Sequence, residues 1–382
     1  MSGARRAGRL RTNAIRSMAV AAAIVLVAAG VYGLRHANAT VSPKPTSNLL
    51  SNGGPQAPEF TGISDWENSS PLTMHQLRGR VVLVDFWTYS CINCQRTFPF
   101  LQSWWHRYGG SGLVVVGVHS PEYEFEKNVS NVRQAIQRYH VDWPVAVDSQ
   151  MATWNAYQNL YWPAEYLIDK TGVIRHTESG EGGYADTEAA IQLLLRDAGY
   201  AVHPSAGPSI DPGLTQDANL QTVELYGGHP DSIGNEQSYP PGQPFDFHDP
   251  GTISTGRHLA NVIFYQGRWS INLPGEGEHA QHARASPPGQ DYALINYRAR
   301  RVYMVAATSG SPERVYLRLD GAELSQSDAG SDVRFDSSGR SYVDIDRSDN
   351  FSLINRTDFT RHELTVSPTG TGFELFSFTF GS

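Results

Sequence analysis

The two cysteines of this 382-residue chain stand three apart, as Cys91-Ile92-Asn93-Cys94, directly after the apolar run Val81-Val82-Leu83-Val84-Asp85-Phe86-Trp87. A short apolar run rich in β-branched residues reads as a buried strand, and the residues after Cys94 carry helical periodicity. A strand that hands a Cys-x-x-Cys to the first turn of a helix constrains both the local fold and the chemistry. The first thiol meets unpaired backbone N–H groups, whose partial positive charge favours thiolate. Cys91 is therefore the expected nucleophile. Cys94, one turn on, is placed to close a short disulfide and expel whatever is bonded to Cys91.

Other uses of the pair fit less well. Zinc takes four protein ligands, and no second cysteine pair exists to complete such a site. A structural disulfide between residues three apart removes little unfolded-chain entropy. A redox-active disulfide, which needs no cofactor, is the expected use.

The start of the chain sets a compartment. Arg5, Arg6, Arg9, Arg11 and Arg16 precede an uncharged stretch from Ser17 to Leu34. Its length just suffices to cross a hydrocarbon core of roughly 30 Å, so it reads as a signal anchor with the N-terminus in the cytoplasm. Ala37-Asn38-Ala39 has the small-residue spacing of a cleavage site, which would instead release the protein. Either way the remainder is expected outside the cytoplasmic membrane, where disulfides persist. Six of the 30 Lys and Arg, and none of the 38 Asp and Glu, fall in the first 40 residues, leaving a formal charge of −14 beyond them. So acidic an ectodomain argues against nucleic acid as a partner.

Composition then divides the chain into an anchor at 1–40, a Pro/Ser/Asn/Gly-rich stalk at 41–57, an alternating strand-and-helix region at 58–200, a Pro/Gly/Ser-rich linker at 201–217, and a strand-rich region at 218–382. Within 58–200 the expected order is strand 81–86, helix 94–108, strand 113–119, helix 128–139, strand 144–147 and helix 151–157. A hairpin of 165–168 with 173–177 and a helix at 186–198 complete it. This predicts an α/β fold with a mixed sheet covered on both faces. Beyond the linker, eight short alternating runs predict an all-β sandwich of jelly-roll type. The runs are 262–265, 292–297, 302–306, 315–319, 341–345, 352–355, 362–367 and 373–380.

The signature Val84-Asp85-Phe86-Trp87 with Cys91-x-x-Cys94, and Pro99 inside the following helix, resembles the thioredoxin superfamily, in its extracytoplasmic TlpA-like branch. Phe86-Trp87-Thr88-Tyr89-Ser90-Cys91-Ile92-Asn93-Cys94, with Tyr161-Trp162-Pro163-Ala164-Glu165-Tyr166-Leu167-Ile168-Asp169, is similar to the soluble C-terminal region of the DipZ family. There a domain of this kind follows a membrane electron-conducting domain. Gly267-Arg268-Trp269, Ile295-Asn296-Tyr297-Arg298-Ala299 and Phe376-Ser377-Phe378-Thr379-Phe380-Gly381 resemble that family's carbohydrate-binding-like module. The multi-helix membrane domain has no counterpart here, one N-terminal segment standing in its place.

The resemblance implies a thiol:disulfide oxidoreductase acting on protein disulfides; with no third cysteine and no multi-span segment to carry electrons, a separate CcdA-like membrane donor is expected to re-reduce it. It implies that Asp85 lies buried under Cys94 as its base, since apolar neighbours raise a carboxylate toward the working range. The alternative for Asp85 is a solvated strand end. It further implies a cis bond between Trp162 and Pro163, with Pro163 facing the dithiol. Trp162, Trp87, Ile92 and Asn93 are assigned to substrate contact.

Rival readings remain at this stage. Thr88-Tyr89-Ser90-Cys91 matches the T-x-x-C of a redoxin-type peroxidase, although Val84 stands where that motif has proline. A non-catalytic envelope-binding protein is the other class. Phe264, Tyr265, Trp269, Tyr292, Tyr297 and Tyr303 could form a sugar-stacking face for a glycan, or the core of the sandwich. Glu276, Glu278, His279 and His282 have metal-ligand spacing, but loop histidines are usually solvated and no metal is assigned.

Overall fold

The computed structural model describes residues 53–202, 220–273, 282–285 and 291–381. The expected anchor, most of the stalk and linker, and Glu276, Glu278 and His279 lie outside them, as does the side chain of His282. No helix among the described residues is long and apolar enough to cross a membrane.

The first region runs β1 (Asp65–Glu67), β2 (Val81–Trp87), α1 (Ile92–Tyr108), β3 (Leu113–His119), α2 (Val129–Arg138), β4 (Val145–Val147), α3 (Ala152–Ala156), β5 (Ala164–Ile168), β6 (Ile174–Ser179) and α4 (Tyr184–Asp197). Its six described strands pair in the order β1-β4-β3-β2-β5-β6. The β2, β3 and β4 strands are parallel, while β5, β6 and β1 join antiparallel. This is the mixed sheet expected, with one added edge strand, β1, that had no apolar pattern to announce it.

Alternation along β2 decides where the site lies. Val82, Val84 and Phe86 enter one apolar cluster with Met74, Trp154 and Tyr157. Val81, Leu83 and Trp87 enter the other, with Cys94, Phe98, Leu101 and Trp104 of α1. Asp85 shares parity with Leu83 and Trp87, so it points to the face that α1 covers. On α1 the buried positions Cys94, Phe98, Leu101, Trp104 and Tyr108 recur at helical spacing. Pro99 lies inside that helix.

All eight runs expected in the second region are strands, extended by a residue or more at most ends. Leu225–Tyr226, Pro244–Phe247, His282–Ala285 and Arg334–Phe335 are additional. The described strands pair as one twelve-stranded antiparallel sheet. Its long strand Ile263–Leu273 pairs with Tyr292–Arg298 through residues 263–266 and with Pro244–Phe247 through residues 267–270. Gly267, at φ 87°, stands where the partner changes, and a Cβ there would collide with the Asp291 carboxylate. Strands from both halves of the sheet fill one apolar core around Trp269, Met304, Val315, Val366 and Phe378.

The described residues form a single compact unit. Tyr123 of the first region is buried in a cluster with Val305, Ala307 and Phe376 of the second, and Phe125 packs against it. Its hydroxyl donates to Ser377 Oγ at 3.2 Å. Arg138 of α2 pairs with the buried Asp349, and the Arg96 guanidinium lies 5.4 Å from the Tyr303 ring centre.

Candidate active site

Cys91 is the N-cap of α1. Its backbone is extended (φ −73°, ψ 107°) and its Sγ accepts the Cys94 N–H at 3.2 Å, as an N-cap oxygen otherwise would. Both cysteines are free thiols here, Cys91 partly exposed and Cys94 fully buried. Burial pushes the Cys94 thiol well above its usual range, and its hydrogen bond to Cys91, the Cys91 charge and the Asp85 charge push the same way. A thiol held this firmly protonated needs a base before it can act.

Asp85 is fully buried, and neither carboxylate oxygen has a hydrogen-bond partner among the described residues. Burial pushes its pKa up to about 8. The solvated strand-end alternative is thereby excluded.

The expectation for Cys91 needs correction. The helix N–H is present and lowers the thiol's pKa, but burial acts more strongly, and the Glu122 and Glu224 charges add to it, so the net direction is upward. Glu224 comes from the strand-rich region, next to Leu225–Tyr226, and its oxygens accept from Thr379 Oγ1 at 2.9 Å and Tyr226 Oη at 3.3 Å. The rule about helix ends assumes an open terminus. Here a second region lies against it.

The loop that presents Cys91 hangs on a carboxylate that sequence reasoning missed. Glu126 is fully buried and accepts Ser90 Oγ–H (2.6 Å), Ser90 N–H (3.3 Å), Glu122 N–H (2.7 Å) and Tyr123 N–H (2.8 Å). No local pattern links residues 36 apart; Glu126 three residues after Tyr123 was the one available signal, a cap-like spacing. Glu126→Ala leaves four donors without their acceptor. A loss of about 2–4 kcal/mol in urea-unfolding free energy is expected. A loss below the precision of that measurement would mean the donors find water instead.

Trp162 and Pro163 are joined by a cis peptide bond. Trp162 is half-buried, packs against Trp154 with ring centres 4.1 Å apart, and donates Nε1–H to Ser120 O at 2.9 Å. Leu160 and Tyr161, just before it, are among the exposed large apolar side chains. Asn93 is partly exposed and its Oδ1 accepts from Arg96 at 3.3 Å; Ile92 is buried. Trp87 is a correction: it is fully buried, edge-on to Phe98 and to His119, and cannot touch a substrate. The apolar run that made it conspicuous is what buries it.

Matches to known proteins bear on this arrangement. Residues 54–177 match the AhpC/TSA family, and residues 228–381 match the family described as thioredoxin like C-terminal domain. The chain is 33% identical over 141 residues to thiol-disulfide oxidoreductase YkuV of Bacillus subtilis, 37% of this chain and 94% of that protein. The chain belongs to the thioredoxin-like thiol-disulfide oxidoreductases. It is 40% identical over 265 residues to protein DipZ of Mycobacterium tuberculosis, 67% of this chain and 35% of that protein. To thiol-disulfide oxidoreductase ResA of Bacillus cereus it is 25% identical over 141 residues, 37% of this chain and 78% of that protein. The chain thus spans about a third of the length of the DipZ proteins it matches.

Two features of the structure bear on the rival readings. Thr88 is fully buried with Oγ1 3.4 Å from His119 Nε2, so its hydroxyl is not open to an incoming peroxide. Burial holds His119 at a pKa of about 3, hence neutral, stacked on Tyr89. In the strand-rich region Phe264, Tyr265, Trp269 and Tyr297 are buried, so the six aromatic residues do not make a sugar-stacking face. Tyr292 donates to Asp249 at 2.7 Å and Tyr303 lies beneath Arg96.

Proposed function

We propose that this chain is an extracytoplasmic thiol:disulfide oxidoreductase that works through the Cys91–Cys94 dithiol and runs in the reducing direction on protein disulfides. The observation that carries the reading is the asymmetry of the two sulfurs: Cys91 is partly exposed at a helix cap, while Cys94 is buried on the face of the sheet to which the unpaired Asp85 carboxyl points. Cys91 thiolate attacks one substrate sulfur and the other leaves as thiolate, giving a mixed disulfide. Asp85 takes the Cys94 proton, Cys94 attacks Cys91 Sγ, and the second substrate sulfur departs. Two electrons pass to the substrate, and the enzyme is left as the Cys91–Cys94 disulfide.

Direction follows from which form the surroundings favour. A strongly oxidising pair is one whose reduced, thiolate form is stabilised. Burial and the Glu122 and Glu224 charges do the reverse at Cys91. The midpoint potential of the pair, measured by equilibration with glutathione, is expected nearer to about −270 mV than to about −120 mV. A value at the upper end would make the protein an oxidant.

A reductase must be re-reduced after each turnover, and two cysteines cannot both donate and replenish. A CcdA-like membrane protein is the proposed donor. The proposed setting is outside the cytoplasmic membrane, held by the segment Ser17–Leu34 or released near Ala39. We read the strand-rich region as a jelly-roll sandwich spanning about 218–382, joined to the catalytic domain, about 58–200, by the Pro/Gly-rich linker.

A further inference from the structure

We infer that Asn350, carried by the strand-rich region, is a positioning residue of the redox site, holding the Ser90–Cys91 peptide so that Cys91 stays at the cap of α1. The inference rests on the reading of Cys91 as nucleophile. Asn350 Nδ2–H donates to the Ser90 carbonyl at 2.9 Å across 260 positions of sequence. The other end of the same peptide group, the Cys91 N–H, donates to Thr88 O at 3.4 Å. One residue back, Glu126 holds Ser90 N–H and Oγ–H. The peptide entering Cys91 is thus tied on both edges, and the tie to its carbonyl comes from the other region.

Asn350 is itself held in place. Its own N–H donates to Asp349 Oδ1 at 2.8 Å, and Asp349, almost fully buried, pairs with Arg138 of α2 and with Arg347. Next to it the Ser348 carbonyl accepts the Tyr89 hydroxyl at 3.3 Å. The segment 348–350 therefore grips Tyr89 and Ser90 together. If the Ser90–Cys91 peptide rotates, ψ of Ser90 and φ of Cys91 change and Sγ leaves the Cys94 N–H, the bond that lowers its pKa. A thioredoxin-like domain alone would lack this grip, so the second region tunes the reactivity of the nucleophile without touching the reacting atoms.

The test is the rate of iodoacetamide modification at pH 7, resolved by peptide mapping, in the reduced full chain and in Asn350→Asp and Asn350→Ala. Asn350→Asp keeps the shape, loses the donor and brings a carboxylate to the site. It is expected to slow Cys91 by about tenfold, the equivalent of one pKa unit of thiolate. Asn350→Ala is expected to slow it less. Mere packing predicts the opposite order, with alanine worse than aspartate, and that result overturns the inference. So do unchanged rates in both Asn350 variants. Cys94 reacting first in the unsubstituted chain is a different failure, that of the nucleophile assignment itself.

Discussion

Cys91→Ser is expected to abolish turnover of insulin or a disulfide-bridged peptide, by about 10³-fold or more, because the remaining thiol, Cys94, is buried and held protonated. Cys94→Ser should behave differently. It retains the attacking sulfur, so a first attack proceeds, but the resolving sulfur is gone and the mixed disulfide persists. On a non-reducing gel the Cys94→Ser protein should accumulate as a covalent adduct that reductant dissolves, while Cys91→Ser gives none. The same adduct, recovered from membranes, would carry either a substrate or the proposed donor. Adducts that form through Cys94 in the Cys91→Ser variant would reverse the two roles.

The core of this site was legible because it is local. The resemblance carried by the apolar run implied a buried Asp85, which the structure sets on the face of Leu83 and Trp87, and the Cys-x-x-Cys spacing placed one sulfur at the helix start and one a turn inside. The hairpin after it was equally plain: Asp169 Oδ1 accepts Thr171 N–H at 2.8 Å and Gly172 sits at φ 80°. What escaped was either short or distant. Asp65–Glu67 and Leu225–Tyr226 are too brief to show a period, and Pro244–Phe247 begins with a residue that has no N–H to give to a ladder and so does not announce a strand.

Distance in sequence hid the rest. The upward shift of Cys91 depends on Glu224, and the fixed loop before it on Glu126 and Asn350, partners brought close by tertiary packing alone. The aromatic residues of the strand-rich region posed a different problem. A stacking platform and a sandwich core use the same side chains, and only burial separates them. Trp269 and Tyr265, both with no exposed surface, belong to the core.

Asp85→Asn is expected to change stability and catalysis in opposite directions. The folded-state pKa of about 8 lies far above the 3.8 of an unperturbed aspartate, so the folded protein holds this proton more tightly than the unfolded chain. Stability from that proton is fully present below about pH 4 and is lost as pH rises through about 8. Asparagine carries no such dependence. The variant should match the parent in urea unfolding near pH 4 and exceed it by a few kcal/mol near pH 9, where the parent must bury a charge. Release of the mixed disulfide should meanwhile slow by about 10²-fold near pH 7, the usual loss when a general base is removed. The parent's release rate should climb with pH toward 8 as Asp85 ionises, whereas the variant's should rise only where Cys94 ionises unaided, at higher pH. A variant with parental release kinetics across this range would show that Cys94 gives up its proton elsewhere, and a flat stability difference between pH 4 and 9 would place the Asp85 carboxyl in contact with water.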